Sequence, residues 1–138
     1  MKTEQLNALK GAVLSVVPSC QAIYIFGSAA SGELVAGSDV DLALLLPIDR
    51  ARSFDLTASI KLSTALSAVV GRDVDLINLR EVDTVFQGQI LSTGQRIYAE
   101  DDVLVDEFEL QVIRMYQDLQ QQRADIIQAG MQSGRFYS

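Results

Sequence analysis

Apolar residues recur along this chain in two rhythms, one helical and one strand-like. Leu6, Leu9, Val13 and Val16/Val17 repeat at helical spacing and Pro18 closes the segment, which predicts an amphipathic helix over 4–17. Residues 22–26, Ala-Ile-Tyr-Ile-Phe, favour a strand that stops at Gly27. Residues 28–38 are small and polar and suit a turn, with room for one helical turn. The short apolar run over 40–46 ends at Pro47 and suits a central strand covered on both faces. Leu56, Ile60, Leu66 and Val69/Val70 mark a second helix stopped by Gly71, and residues 73–79 form a third strand. A helix over 82–92 ends before Gly94, and 96–99 forms a short edge strand. From 103 to 129, Val105, Phe108, Val112, Met115/Tyr116, Leu119 and Ile126 keep one helical face, and Gly130 ends it. That face reads as core, its length leaving the outer part for a partner. Glu100-Asp101-Asp102 starts this helix, where acids favour the dipole. The tail, 131–138, is expected to be loose. The order α-β-β-α-β-α-β-α gives an α/β or α+β fold around a mixed sheet.

Composition narrows the function. The 138 residues suit a single domain over 1–138 with a sizeable core. A net charge of −7 argues against direct nucleic-acid binding, which needs a basic footprint. Cys20 is the one cysteine and there is no histidine. No intrachain disulfide can form, and Ser-His-Asp catalysis, Cys-His catalysis and histidine-bearing zinc sites are excluded. Any general base is a carboxylate, a lysine, a tyrosine or the substrate itself. The longest apolar run, Leu42 to Leu46, cannot cross a bilayer, and no long apolar stretch follows the N-terminal lysine. These features lead to the expectation of a soluble cytoplasmic protein without a membrane partner.

The candidate chemistry lies between the first two strands. Gly27-Ser28 ends one, and Asp39-Val40-Asp41 opens the next. Side chains two apart on a strand share a face, so Asp39 and Asp41 project together. The strands at 40–46 and 73–79 are joined by a helix, which normally makes them parallel. In near register, Asp75 then lies alongside Asp41. Asp-Val-Asp-Leu stands at both 39–42 and 73–76, two strands meeting one demand rather than a duplication. Asp73 reads as a strand-entry residue. Two carboxylates about 4 Å apart repel by roughly 4 kcal/mol at an effective dielectric near 20. A cluster of three therefore implies a cation, and all-oxygen ligands favour Mg2+ or Mn2+. Gly27 lets backbone approach phosphates, and the Ser28 hydroxyl with the amides after it can donate to phosphate oxygens. Gly37 and Ser38 read as turn formers first, Ser38 being also a nucleotide-binding candidate. This pattern points to transfer of a nucleotide from a nucleoside triphosphate with a divalent metal.

Gly27-Ser28, Asp39-x-Asp41 and Asp75 resemble the motif of the DNA-polymerase-β-like nucleotidyltransferase superfamily. The small size resembles its minimal nucleotidyltransferase (MNT) members, and the part after 82 resembles the MntA-type antitoxins. The resemblance implies a mixed sheet flanked by helices, Asp39 and Asp41 binding magnesium, and Asp75 helping to activate an acceptor hydroxyl. It also implies a HEPN-domain ribonuclease toxin as partner, silenced by AMP transferred from ATP to a tyrosine. One departure stands out. Many MNT proteins carry arginine just after Gly-Ser, whereas Ala29, Ala30 and Ser31 stand here, and no lysine or arginine occurs from 11 to 49. Charge on the triphosphate would then rest on metal, backbone amides and one of Arg50, Arg52 or Lys61. Two other functions compete: occlusion of a toxin without catalysis, favoured by an acidic surface, and nucleotidyl transfer to a small molecule such as an aminoglycoside, which usually needs a further domain.

Overall fold

The computed structural model describes residues 1–27 and 39–133, the side chains of 131–133 excepted. Helix α1 (Thr3–Val16) leads to β1 (Ala22–Phe26), then β2 (Val40–Leu45), α2 (Ile48–Ser53), α3 (Leu56–Val70) and β3 (Val74–Asn78). A single 3-10 turn (Leu79–Glu81), α4 (Thr84–Thr93), β4 (Gln95–Ala99) and α5 (Asp102–Ser133) complete it. The strands form one mixed sheet in the order β3-β2-β1-β4. β1 pairs antiparallel with both β2 and β4. β2 and β3 are parallel, as a connection through α2 and α3 permits.

Pleat alternation divides the core between the two faces. On one face Ile23, Ile25, Leu42, Leu44 and Val74 pack with Leu9 and Val13 of α1 and Leu62, Leu66 and Val70 of α3. On the other, Ala22, Tyr24, Ala43 and Leu45 pack with Leu79, Ile90 of α4 and Val105 of α5. The two central strands are thus covered on both sides, which explains the nearly unbroken apolar run of β2.

Local signals fix the helix ends. The Asp55 carboxylate accepts from Ala58 N–H at 3.0 Å, and that of Asp83 from Phe86 N–H at 2.8 Å. Asp101 does the same for Val103 N–H at 3.1 Å, so the acidic run does start the last helix. Helix α2 has no counterpart among the expected elements. It has six residues, buries only Ala51 and so carries no amphipathic period.

The long final helix does not stop at Gly130 as expected but runs through it to Ser133, since one glycine in a helix interior costs only about 1 kcal/mol. It also departs from a wholly packed face. Val105 and Val112 are buried, but every residue from 117 to 129 is exposed, Leu119 and Ile126 included. No helix among the described residues is long and apolar enough to cross a membrane.

Candidate active site

The acidic residues meet because of strand register. Phe26 stands opposite Asp41 across the β1–β2 pair, and Asp41 opposite Asp75 across the β2–β3 pair. One row thus runs Phe26, Asp41, Asp75 over three strands, on the same face as Tyr24, Ala43 and Ile77. Asp39 lies one pleat earlier, exposed, just before β2 begins. The expected convergence of Asp41 and Asp75 is therefore present in the backbone register itself.

Electrostatics agree with that placement. Burial raises the Asp41 pKa above the usual carboxylate value, and the charges of Asp75 and then Asp39 raise it further. Among the described residues, no three acidic or thiol side chains are gathered closely enough to hold a metal ion, so the expected cluster of three is not closed here. The arrangement is an open one. Its donors are all carboxylate oxygens, suited to a hard divalent cation whose remaining ligands come from phosphate and water. Asp41 and Asp75, paired in register, and Asp39, one pleat earlier, are the carboxylates that would have to draw together to hold it.

Gly27 closes the other side of Asp41. Its φ is +71°, and a Cβ placed there would lie 2.6 Å from Asp41 Oδ2. Only glycine permits both the left-handed turn and this approach of backbone to carboxylate. Ser28 and Ser38, the other nucleotide-binding candidates, lie outside the described residues, as does the expected turn over 28–38.

A cavity of about 430 Å³ opens beside the carboxylates at the β3 edge. Asp41, Asp75, Phe26 and Ile77 contribute from the sheet, Leu56, Ser59, Ile60 and Ser63 from α3, and Phe86 from α4. Phe26 and Phe86 meet edge to face, their centroids 6.2 Å apart. The outer backbone of β3 is tied to α3: Ser67 Oγ accepts from Val74 N–H at 3.0 Å, and Ser63 Oγ donates to the Val74 carbonyl. Edge-strand groups next to Asp75 are thereby satisfied and its position held.

The pattern of residues does not single out Phe26, Phe86, Leu56 or Ile60 as part of a site. Leu56 and Ile60 belong to the apolar series of α3, yet they are 75% and 56% exposed. The buried stripe is Leu62, Leu66 and Val70, at spacing of four. Leu56 and Ile60 fall out of phase with that stripe, which shows only once the buried face is known. None of Arg50, Arg52 and Lys61 lines the carboxylate cavity. Arg52 borders a different cavity with Arg80. Arg80 donates to the Leu46 carbonyl and to Gln21 Oε1 and stacks 5.1 Å over Phe108, which marks it as scaffold.

A mixed sheet carrying a glycine turn and register-paired aspartates defines a nucleotidyltransferase. The chain belongs to the polymerase beta nucleotidyltransferase family, whose model matches residues 12–103. It is 36% identical over 113 residues to the protein adenylyltransferase MntA of Shewanella oneidensis, covering 80% of this chain and 76% of that protein. It also resembles a chain in the crystal structure of a toxin–antitoxin with AMP-PNP, at TM-score 0.76 and 32% identity over 91% of this chain and 98% of that one. A third likeness is to a chain in the complex of a tri-AMPylated Shewanella oneidensis HEPN toxin with its MNT antitoxin. There the TM-score is 0.73 and the identity 30%, covering 95% of this chain and 99% of that one.

Proposed function

We propose that residues 1–138 form one minimal nucleotidyltransferase domain, an antitoxin that transfers AMP from ATP to a tyrosine hydroxyl of a cognate HEPN toxin in the cytoplasm. The observation that carries this reading is the Asp41–Asp75 register pair beside Gly27, in a chain of this family. The relative 36% identical to it is a protein adenylyltransferase. Likenesses to chains in an AMP-PNP complex and an AMPylated-toxin complex add support for ATP as substrate and a HEPN protein as partner.

The residues divide the work by position. Asp39, Asp41 and Asp75 would hold the divalent cation, Mg2+ or Mn2+, which when bound supplies charge neutralisation for the phosphates. Gly27 presents its backbone to the phosphates, with Ser28 and Ser38 as the further nucleotide-binding candidates. Asp75 takes the proton of the attacking hydroxyl. The hydroxyl oxygen forms a bond to the α-phosphorus as the bond to the bridging oxygen breaks, and pyrophosphate leaves with that electron pair.

Intact mass of the cognate HEPN protein tests this. After incubation with this protein, ATP and Mg2+, its mass should rise by one or more AMP units. Omission of the cation, or the Asp39→Ala, Asp41→Ala double substitution, should abolish the rise. A rise that survives the double substitution overturns the assignment of the metal site.

A further inference from the structure

On the β3 side of the carboxylates, the cavity has a property that AMP transfer alone does not require. Beside Ser59 and Ser63, its α3 wall carries apolar side chains open to solvent: Leu56 is 75% exposed and Ile60 56%, both on the first two turns of α3. Facing them across the cavity is Phe86 of α4, held by its edge-to-face contact with Phe26. Between these walls lie Asp41 and Asp75.

The order of groups across the sheet assigns the two sides. Gly27 follows β1 and touches Asp41 from one side, while Asp75 stands beside Asp41 on the other. In-line displacement at phosphorus places the attacking and leaving oxygens on opposite sides. If the leaving phosphates lie against the glycine turn, the attacking hydroxyl enters from the β3 side, past Asp75. The cavity is on that side. Its apolar walls with carboxylates at the base match a flat ring bearing one hydroxyl. Exposed aliphatic residues at its mouth are what a docking protein would cover, and a nucleotide confined to the cavity would leave them wet.

We propose that this cavity seats the acceptor's tyrosine ring, and that Leu56, Ile60 and Phe86 are the specificity-determining walls for a phenolic acceptor on a protein surface. This rests on the AMP-transfer reading above. The ring packs between α3 and α4 with its hydroxyl at Asp75, which receives the phenolic proton as the oxygen–phosphorus bond forms and pyrophosphate departs.

Steady-state AMP transfer to the intact HEPN protein, followed by intact mass, tests the assignment with a Leu56→Ser, Ile60→Ser double variant. Both side chains are more than half exposed, so folding should hold, and thermal unfolding checks it. The KM for the HEPN protein should rise by about tenfold or more, with the KM for ATP changing by less than about twofold. A Leu56→Met, Ile60→Leu variant, which keeps the walls apolar, should restore the KM for the HEPN protein. A rise in the KM for ATP instead would make this wall a nucleotide-base seat and overturn the proposal. An unchanged KM for the HEPN protein would also overturn it, leaving AMP transfer standing. No transfer by the unsubstituted protein would remove both readings together.

Discussion

Gly27 and Asp41 are in such close contact that a Cβ built on Gly27 would sit 2.6 Å from Asp41 Oδ2. The backbone of the turn therefore sets where the carboxylate can stand. Gly27→Ala imposes left-handed strain of about 1–2 kcal/mol and also pushes the Asp41 carboxylate aside. Gly71 provides a control, since it has a nearly equal φ of +68° but nothing within 4 Å of where a Cβ would stand. Both alanine variants should lose similar stability in urea unfolding. Only Gly27→Ala should lose AMP transfer, by roughly a hundredfold, the scale of removing one preorganised charge-stabilising group. Equal activity in the two variants would separate Gly27 from the chemistry.

Asp41 gives the pH dependence a definite sign. Burial and then the charges of Asp75 and Asp39 raise its native pKa, so the native chain binds this proton more tightly than the unfolded chain does. The stability it contributes is complete below the unfolded value, about 3.9. It is lost as pH rises through the higher native value and stays lost above. In chelator, Asp41→Asn should raise the Tm near neutral pH and flatten this part of the profile. Added Mg2+ should raise the Tm of the unsubstituted protein and leave that of the variant nearly unchanged. AMP transfer by the variant should fall by about a hundredfold or more. A variant with a lower Tm in chelator would show that the Asp41 carboxylate is not under repulsion.

Much of this architecture is legible in the sequence because it rests on short-range rules. Residues 22–26 form the expected strand, Gly71 and Gly94 end the expected helices, and the parallel β2–β3 pair follows from a helical connection. Repetition of Asp-Val-Asp-Leu anticipates the Asp41–Asp75 register, since both strands begin at the same pleat. Features set by packing between distant segments are not legible. Leu56 and Ile60 read as part of a buried face, because periodicity registers spacing but not which face has a neighbour. Phe26 and Phe86 lie far apart in the sequence and meet only once α4 folds over the sheet. Residues 117–129 keep a helical pattern, yet every one of them is exposed.

Arg96 of β4 fastens the final helix to the sheet. Its Nη1 donates to Glu109 Oε2 at 2.7 Å and Asp106 Oδ1 at 2.8 Å, with Asp102 at 3.6 Å. The Tyr24 hydroxyl donates to the same Glu109 oxygen at 2.7 Å. Burial first, then the Glu109 hydrogen bond, keep the Tyr24 phenol protonated well beyond its ordinary range. Asp102 and Asp106 are mostly exposed and their pairing is worth little. Glu109 is only 25% exposed, so the Arg96–Glu109 contact dominates. Arg96→Met should lower stability by about 1–2 kcal/mol and Tyr24→Phe by about 1 kcal/mol. Their effects should couple in a double-mutant cycle, because both act through one oxygen. Strict additivity in urea denaturation would argue against that shared acceptor.

Gly88 lets α4 and α5 touch, and so holds the final helix against the helix that carries Phe86. A Cβ on Gly88 would lie 2.4 Å from Tyr116 Cγ and 2.6 Å from its Cδ1. In an isolated helix, alanine would be favoured over glycine by about 1 kcal/mol. Here the ring occupies the space, so Gly88→Ala should instead destabilise by about 1–3 kcal/mol as α5 is levered away. Truncating the ring in a Gly88→Ala, Tyr116→Ala double variant removes the two closest contacts and leaves only the Cβ at 116, 2.9 Å from where the new one would stand. With the ring gone, the Gly88→Ala effect should shrink in the Tyr116→Ala background. Unfolding in urea across the four proteins reads that difference directly. The same destabilising effect in both backgrounds would mean that the approach of the two helices does not depend on the ring.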